Sequence, residues 1–135
     1  MLDDILGMKD NNAILLLKKL GFSDEEKALK NIKLLAETPF KDFIQDIIDY
    51  SASSPSPDDS LNNLERIAST ASEDIIKSIL KNIDPIRYLV FISGSSNFLS
   101  NILAKDSSNL EYLFLKNGLY IKKGLEIFSA ELNEI

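Results

Sequence analysis

The sequence predicts an all-α fold, an irregular bundle of about seven or eight short helices that includes a pair of repeated helical hairpins. Three observations predict it. Apolar residues recur at spacings of three and four almost throughout, which gives each segment one stripe to bury. The punctuation between those segments is helix-capping chemistry. No window alternates with period two for long enough to argue a strand.

Taken in order, Asn11-Asn12 opens a helix over Ala13–Leu20 that Gly21 closes as a left-handed C′ residue. Ser23 and Glu26 have the spacing of a capping box, ahead of a helix to about Glu37 with Leu29, Ile32, Leu35 and Ala36 on one face. Thr38-Pro39 starts the next, since proline at the first helical position has no N–H to lose. Its apolar face is Phe40, Phe43, Ile44, Ile47 and Ile48. Residues 51–57, Ser-Ala-Ser-Ser-Pro-Ser-Pro, read as an exposed loop inside the domain. Ser56-Pro57 then caps a helix with Leu61, Leu64, Ile67 and Ala68 inward. Ser72 caps Glu73–Ile83, and Asp84-Pro85 caps Ile86–Ile92. The run Tyr88–Ile92 is apolar throughout and could be a strand, but its Asp-Pro cap favours a buried helix. Ser93-Gly94-Ser95-Ser96 breaks the chain, and Gly94 is expected at a turn with Phe98 and Leu99 packed on Tyr88 or Phe91. Asn97–Lys105 is a short helix. Ser108 with Glu111 suggests a second capping box before Leu110–Lys116. Asn117-Gly118 is a stop, and Leu119–Leu132 a last helix.

An internal repeat appears at an offset of 32 residues. Glu26-Lys27-Ala28-Leu29-Lys30-Asn31-Ile32 aligns with Asp58-Asp59-Ser60-Leu61-Asn62-Asn63-Leu64, and Leu35-Ala36 with Ile67-Ala68. Two copies are too few for a solenoid but suit stacked hairpins. Asn31 and Asn63 fall mid-helix, where asparagine is unfavourable. Solvent exposure is the simpler account of both; bonding to a neighbouring turn is the other.

Composition narrows the chemistry. The 135 residues suit one domain, and 44% are hydrophobic. There is no cysteine, so there are no disulfides or thiolates, and a reducing cytoplasm is the expected location. The acidic start, Met1-Leu2-Asp3-Asp4, is unlike a secretory signal. No apolar run is long enough to span a bilayer. Histidine is absent, which removes the commonest general base and transition-metal ligand. A net charge of −6 disfavours nucleic acid as a partner.

The motifs that remain are incomplete. Gly94-Ser95 after an apolar run has the form of a phosphate-binding turn in a nucleotidyltransferase of the polymerase-β type. That chemistry also needs two carboxylates on Mg²⁺, as Asp-x-Asp. The next acid is Asp106, and Ser108 stands two residues beyond it, so the motif fails. Asp24-Glu25-Glu26, Asp58-Asp59 and Glu73-Asp74 each fall in a first helical turn, where carboxylates complement the helix dipole. Serines lack a histidine to activate them, and Lys122-Lys123 is a small basic spot on a solvated face. The aromatic residues fall mainly on apolar faces, as core side chains do. No catalytic, cofactor-binding or metal-ligating residue is assigned.

Three stretches together resemble one family. They are Leu20-Gly21-Phe22-Ser23-Asp24-Glu25-Glu26-Lys27-Ala28-Leu29, then Ser54-Pro55-Ser56-Pro57-Asp58-Asp59-Ser60-Leu61-Asn62-Asn63-Leu64-Glu65-Arg66, then the segment from Ser93-Gly94-Ser95-Ser96-Asn97-Phe98-Leu99 to Asp106. In this order they are similar to the N-terminal helical region of glutamine synthetase adenylyltransferase, which adenylylates and deadenylylates glutamine synthetase. The third segment departs from the family at Lys105-Asp106-Ser107, where histidine-proline is usual. The resemblance implies that residues 1–135 form one helical, non-catalytic accessory domain of a longer nucleotidyltransferase. Its neighbour would be the downstream domain that removes AMP, with glutamine synthetase and the PII signalling protein as further partners. Mg²⁺ and ATP would belong to the nucleotidyltransferase domains alone. The signature positions, structural or interdomain by that resemblance, are Gly21, Phe22, Pro57, Asp58, Leu61, Asn63, Leu64, Gly94, Ser95, Ser96, Phe98 and Leu99. The competing expectation is a stand-alone helical adaptor whose stacked repeats form a protein-binding groove.

Overall fold

The structure, a computed structural model, describes residues 2–81 and 83–111. Among them the chain is helical and contains no strand. In order come α1 (Leu2–Gly7), α2 (Asp10–Leu20), α3 (Glu25–Leu35), a 3-10 helix (Pro39–Phe43), α4 (Ile44–Ala52), α5 (Pro57–Thr70), α6 (Glu73–Ile79), α7 (Ile83–Ser95), α8 (Asn97–Lys105) and α9 (Ser107–Glu111). The fold is an all-α irregular bundle, as predicted. None of these helices is long and apolar enough to cross a membrane. The expected stop at Asn117-Gly118 and helix at Leu119–Leu132, like Lys122-Lys123, lie outside the described residues.

The longest helix among the described residues, α5, is the axis of the bundle. It packs against α3 on one side and against α7 and α8 on the other, while α2 covers α3 and α4 packs on α7. Its inward stripe, Leu61, Leu64, Ile67 and Ala68, is buried as the periodicity requires. It joins Leu17, Ile32, Leu35, Phe40, Ile44, Ile47, Ile86 and Val90 in one core. The repeat copies coincide with α3 and α5, which pack side by side. Tyr88 to Ile92 lies within α7, so the buried-helix reading holds and the strand does not.

The local signals set most helix starts, sometimes one residue away from the expected cap. Gly21 is left-handed, with φ 106°. The Phe22 N–H bonds the Leu17 carbonyl and the Gly21 N–H bonds that of Lys18, each at 3.1 Å. This is a Schellman stop, and its hydrophobic partners Leu17 and Phe22 are both buried. α2 starts at Asp10, earlier than expected, so Asn11-Asn12 lie inside it. Asp24, not Ser23, caps α3 by accepting the Lys27 N–H. Asp106, not Ser108, caps α9 by accepting the Ser108 N–H at 2.9 Å. In both places a carboxylate one or two residues before or after the expected serine takes an orphan donor, because charge strengthens that bond. Thr38 and Ser72 cap as expected. The chain after Thr38 first makes a 3-10 turn, and α6 stops at Ile79 rather than at Ile83. α7 begins at Ile83, so Asp84-Pro85 fall in its first turn, where a missing N–H costs no helical bond.

Residues 51–57 are a shorter and less exposed connection than expected. α4 runs to Ala52, Ser51 is fully buried, and α5 begins at Pro57. Ser56 stands at its N-cap without a side-chain bond.

Candidate functional site

The three signature segments, far apart in sequence, meet along α5. The first contact is at its start. Both carboxylate oxygens of Asp58 accept the Ser23 N–H, and one also accepts the Asp24 N–H, all at 3.1 Å. These donors precede α3 and have no helical acceptor. The Gly21 turn and the buried Phe22 aim them at Asp58.

The second contact is one and a half turns further along. Asn63 is 5% exposed, and its Nδ2 donates to the Ser93 carbonyl at 2.8 Å and to Asn97 Oδ1 at 2.9 Å. Ser93 lies in the last turn of α7, where carbonyls lack a helical partner. The Asn63 Oδ1 accepts from Arg66 Nη2 at 2.8 Å, and the same nitrogen donates to Asn101 Oδ1 on α8 at 2.7 Å. Thus α5 lends one side chain to the start of α3 and another to the end of α7. Asn31 on α3 plays a lesser version of this part, bonding Asn62 Oδ1 at 2.6 Å. Asn31 and Asn63 are therefore buried and bonded between helices, which corrects the expectation of solvent exposure. Asn63 matches the carbonyl of buried Ser93, which an apolar side chain would leave unpaired, and Asn31 matches the half-buried Asn62.

Between these contacts the helices approach closely through small residues. Ser51 and Ser60 share a hydroxyl–hydroxyl bond of 3.0 Å, and Ser60 donates to the Val90 carbonyl at 3.3 Å. Ser93 and Ser100 return their hydroxyls to carbonyls one turn back in or before their own helices. Gly94 is helical rather than at the turn, and this corrects its expected role. A Cβ there would lie 2.5 Å from Ser54 Oγ and 3.2 Å from Ser60 Cβ. Glycine is needed for contact, not for backbone freedom, and the break falls at Ser96, whose hydroxyl accepts the Leu99 N–H.

The remaining signature residues divide. Leu61 and Leu64 are core, Pro57 is the first residue of α5, and Leu99 is half-buried against the core. The Ser95 hydroxyl is buried with no bonding partner among the described residues. Phe98 is 73% exposed, so it does not pack on Tyr88 or Phe91 as expected. Gly94-Ser95 sits inside the closing turn of α7. The nearby helix start, that of α8, already has a donor filled by Ser96. Gly94 and Ser95 thus stand at a helix C-terminus, which presents carbonyls and not the N–H groups of a phosphate-binding turn.

The acid pairs occupy first turns of α3, α5 and α6. Among the described residues, no three acidic side chains converge as a metal would need. A notch of about 240 Å³ opens between α3 and α5, lined by Asp24, Lys27, Asn31, Asp58 and Asn62. Both of its carboxylates already accept backbone N–H groups. A wider depression of about 320 Å³ borders α3, where Lys33 pairs with Asp10 at 2.8 Å on the open surface. The Asp106 carboxyl is held below its usual range by the backbone N–H of Ser108, helped by that residue's hydroxyl.

Sequence reasoning found the residues of this seam but missed their partners. The signal was the recurrence of Asn at one place in both repeat copies. No family model, curated protein or solved structure matches the chain.

Proposed function

We propose that this chain is a helical accessory domain of the kind that precedes the first nucleotidyltransferase domain of glutamine synthetase adenylyltransferase. Its role is to support removal of AMP from glutamine synthetase in nitrogen regulation, in the cytoplasm. The observation that supports it is the joining of the three signature segments. Asp58 holds the first to the second, and Asn63 holds the second to the third. Segments that serve one scaffold have a physical reason to occur together and in order. In this reading Mg²⁺ and ATP serve the nucleotidyltransferase domains, and this chain contributes shape and docking surface. A stand-alone adaptor is the second reading, favoured by the exposed aromatic side chain of Phe98.

The test is reconstitution. Purified chain is added to the deadenylylating domain of such an enzyme, to adenylylated glutamine synthetase and to PII, and Mg²⁺-dependent AMP release is followed. The expected result is binding to the deadenylylating domain with faster AMP release, and no release by the chain alone. Release by the chain alone would overturn the accessory role. Absence of both binding and stimulation would leave the adaptor as the better account.

A further inference from the structure

We infer that the outer face of α8, with Arg66 of α5 beside it, docks an acidic amphipathic helix of a partner protein. This inference stands under either reading above. Phe98 is 73% exposed and Ile102, one turn on, is 38% exposed. Asn101 and Lys105 share that face, because steps of three and four return to one side of a helix. Large apolar side chains stacked one turn apart in water are what a helix-in-groove partner covers.

Charge identifies the partner. The whole chain carries 21 acids against 15 bases, yet residues 85–105 contain no carboxylate. The first acid after α8, Asp106, is turned to the Ser108 N–H. Arg66 is fixed by two neutral amides, Asn63 and Asn101, through one nitrogen. Neither it nor Lys105 has an ion-pair partner among the described residues. A guanidinium held in place by amides keeps its charge unmatched and its orientation set, and so binds a carboxylate with little ordering cost. An exposed aromatic side chain on α8 and an Arg bonded to that same helix are also the composition of interface hot spots. An anionic membrane is the poorer fit, since a chain of net charge −6 is repelled from it outside this small face.

The probe is a synthetic helical peptide with leucines on one face flanked by glutamates. Controls are the same peptide with lysine in place of glutamate, and a scrambled one. Binding to the full chain is read by fluorescence anisotropy and by amide shift mapping. The acidic peptide is expected to bind, to weaken with salt, and to shift the amides of residues 98–105. Phe98→Ser and Lys105→Glu should each weaken it about tenfold with unchanged thermal unfolding. Equal binding of the lysine peptide, no binding, shifts elsewhere, or indifference to Phe98→Ser would overturn the inference. So would binding to phosphatidylserine vesicles in place of the acidic peptide.

Discussion

Asn31 and Asn63 stand at the same place in the two copies of the repeat and are almost equally buried, at 6% and 5% exposure. Their surroundings differ. Asn31 bonds a single amide beside an open notch. Asn63 takes up a helix-end carbonyl and a second amide, and anchors Arg66. The difference teaches that the value of a buried amide is set by what its neighbour lacks. α5 is flanked on both sides, and the helix end beside it offers an acceptor that no other described residue satisfies.

The largest effect is therefore expected from Asn63→Ala. It leaves the Ser93 carbonyl buried without a donor and releases Arg66 from one anchor, a loss of about 2–3 kcal/mol. Urea unfolding measures it. A loss equal to that of Asn31→Ala would break the comparison. Next is Gly94→Ala, whose new methyl meets Ser54 and Ser60. Overpacking of this kind costs about 1–3 kcal/mol. Adding Ser54→Gly removes the nearest atoms and should recover most of it, so the two changes must be non-additive.

These two sites also mark how far the sequence could be read. The apolar stripes were legible because burial imposes a period, and Leu61, Leu64 and Ile67 needed no partner to be identified. Gly21 was legible too, since a left-handed stop is a local event. Gly94 was not, because its reason lies in Ser54, which sequence distance hides. Ser23 and Ser108 were read as caps, yet Asp24 and Asp106 accept the first-turn N–H groups. Ser51 looked like loop until α5 and α7 closed around it. Phe98 looked like core because aromatic residues usually are. The misses at Gly94 and Ser51 concern contacts between elements, while each success concerns a pattern within one.

Smaller effects sharpen the comparison further. Asn31→Ala should cost about 1 kcal/mol, the net worth of one hydrogen bond, because the notch admits water to the amide left behind. Asp58→Ala removes the acceptor of two N–H groups at the start of α3, and about 1 kcal/mol is expected, as for the loss of a helix cap. Its distinguishing readout is hydrogen exchange. Protection should fall at Ser23 and Asp24 while Ser93 and its neighbours are untouched. Equal loosening at both ends of α5 would mean that the two contacts form one cooperative unit.

The smallest effect belongs to Asp106, and it is a matter of pH. Its carboxyl is held below the ordinary value of 3.8 because the ionised form accepts the Ser108 N–H and hydroxyl. A depressed folded value means the unfolded chain binds the proton first. The contribution is then complete above pH 3.8 and disappears as pH falls below it, through the lowered folded value. The group is fully exposed, so the change should be visible in local structure before it is visible in unfolding. In an acid titration followed by NMR, the Ser108 amide should shift with the Asp106 carboxyl carbon, at a midpoint below 3.8. Asp106→Asn should abolish that shift and leave the signals of the α5 contacts in place. A Ser108 amide that titrates unchanged in Asp106→Asn would show that another group, and not this carboxylate, caps α9.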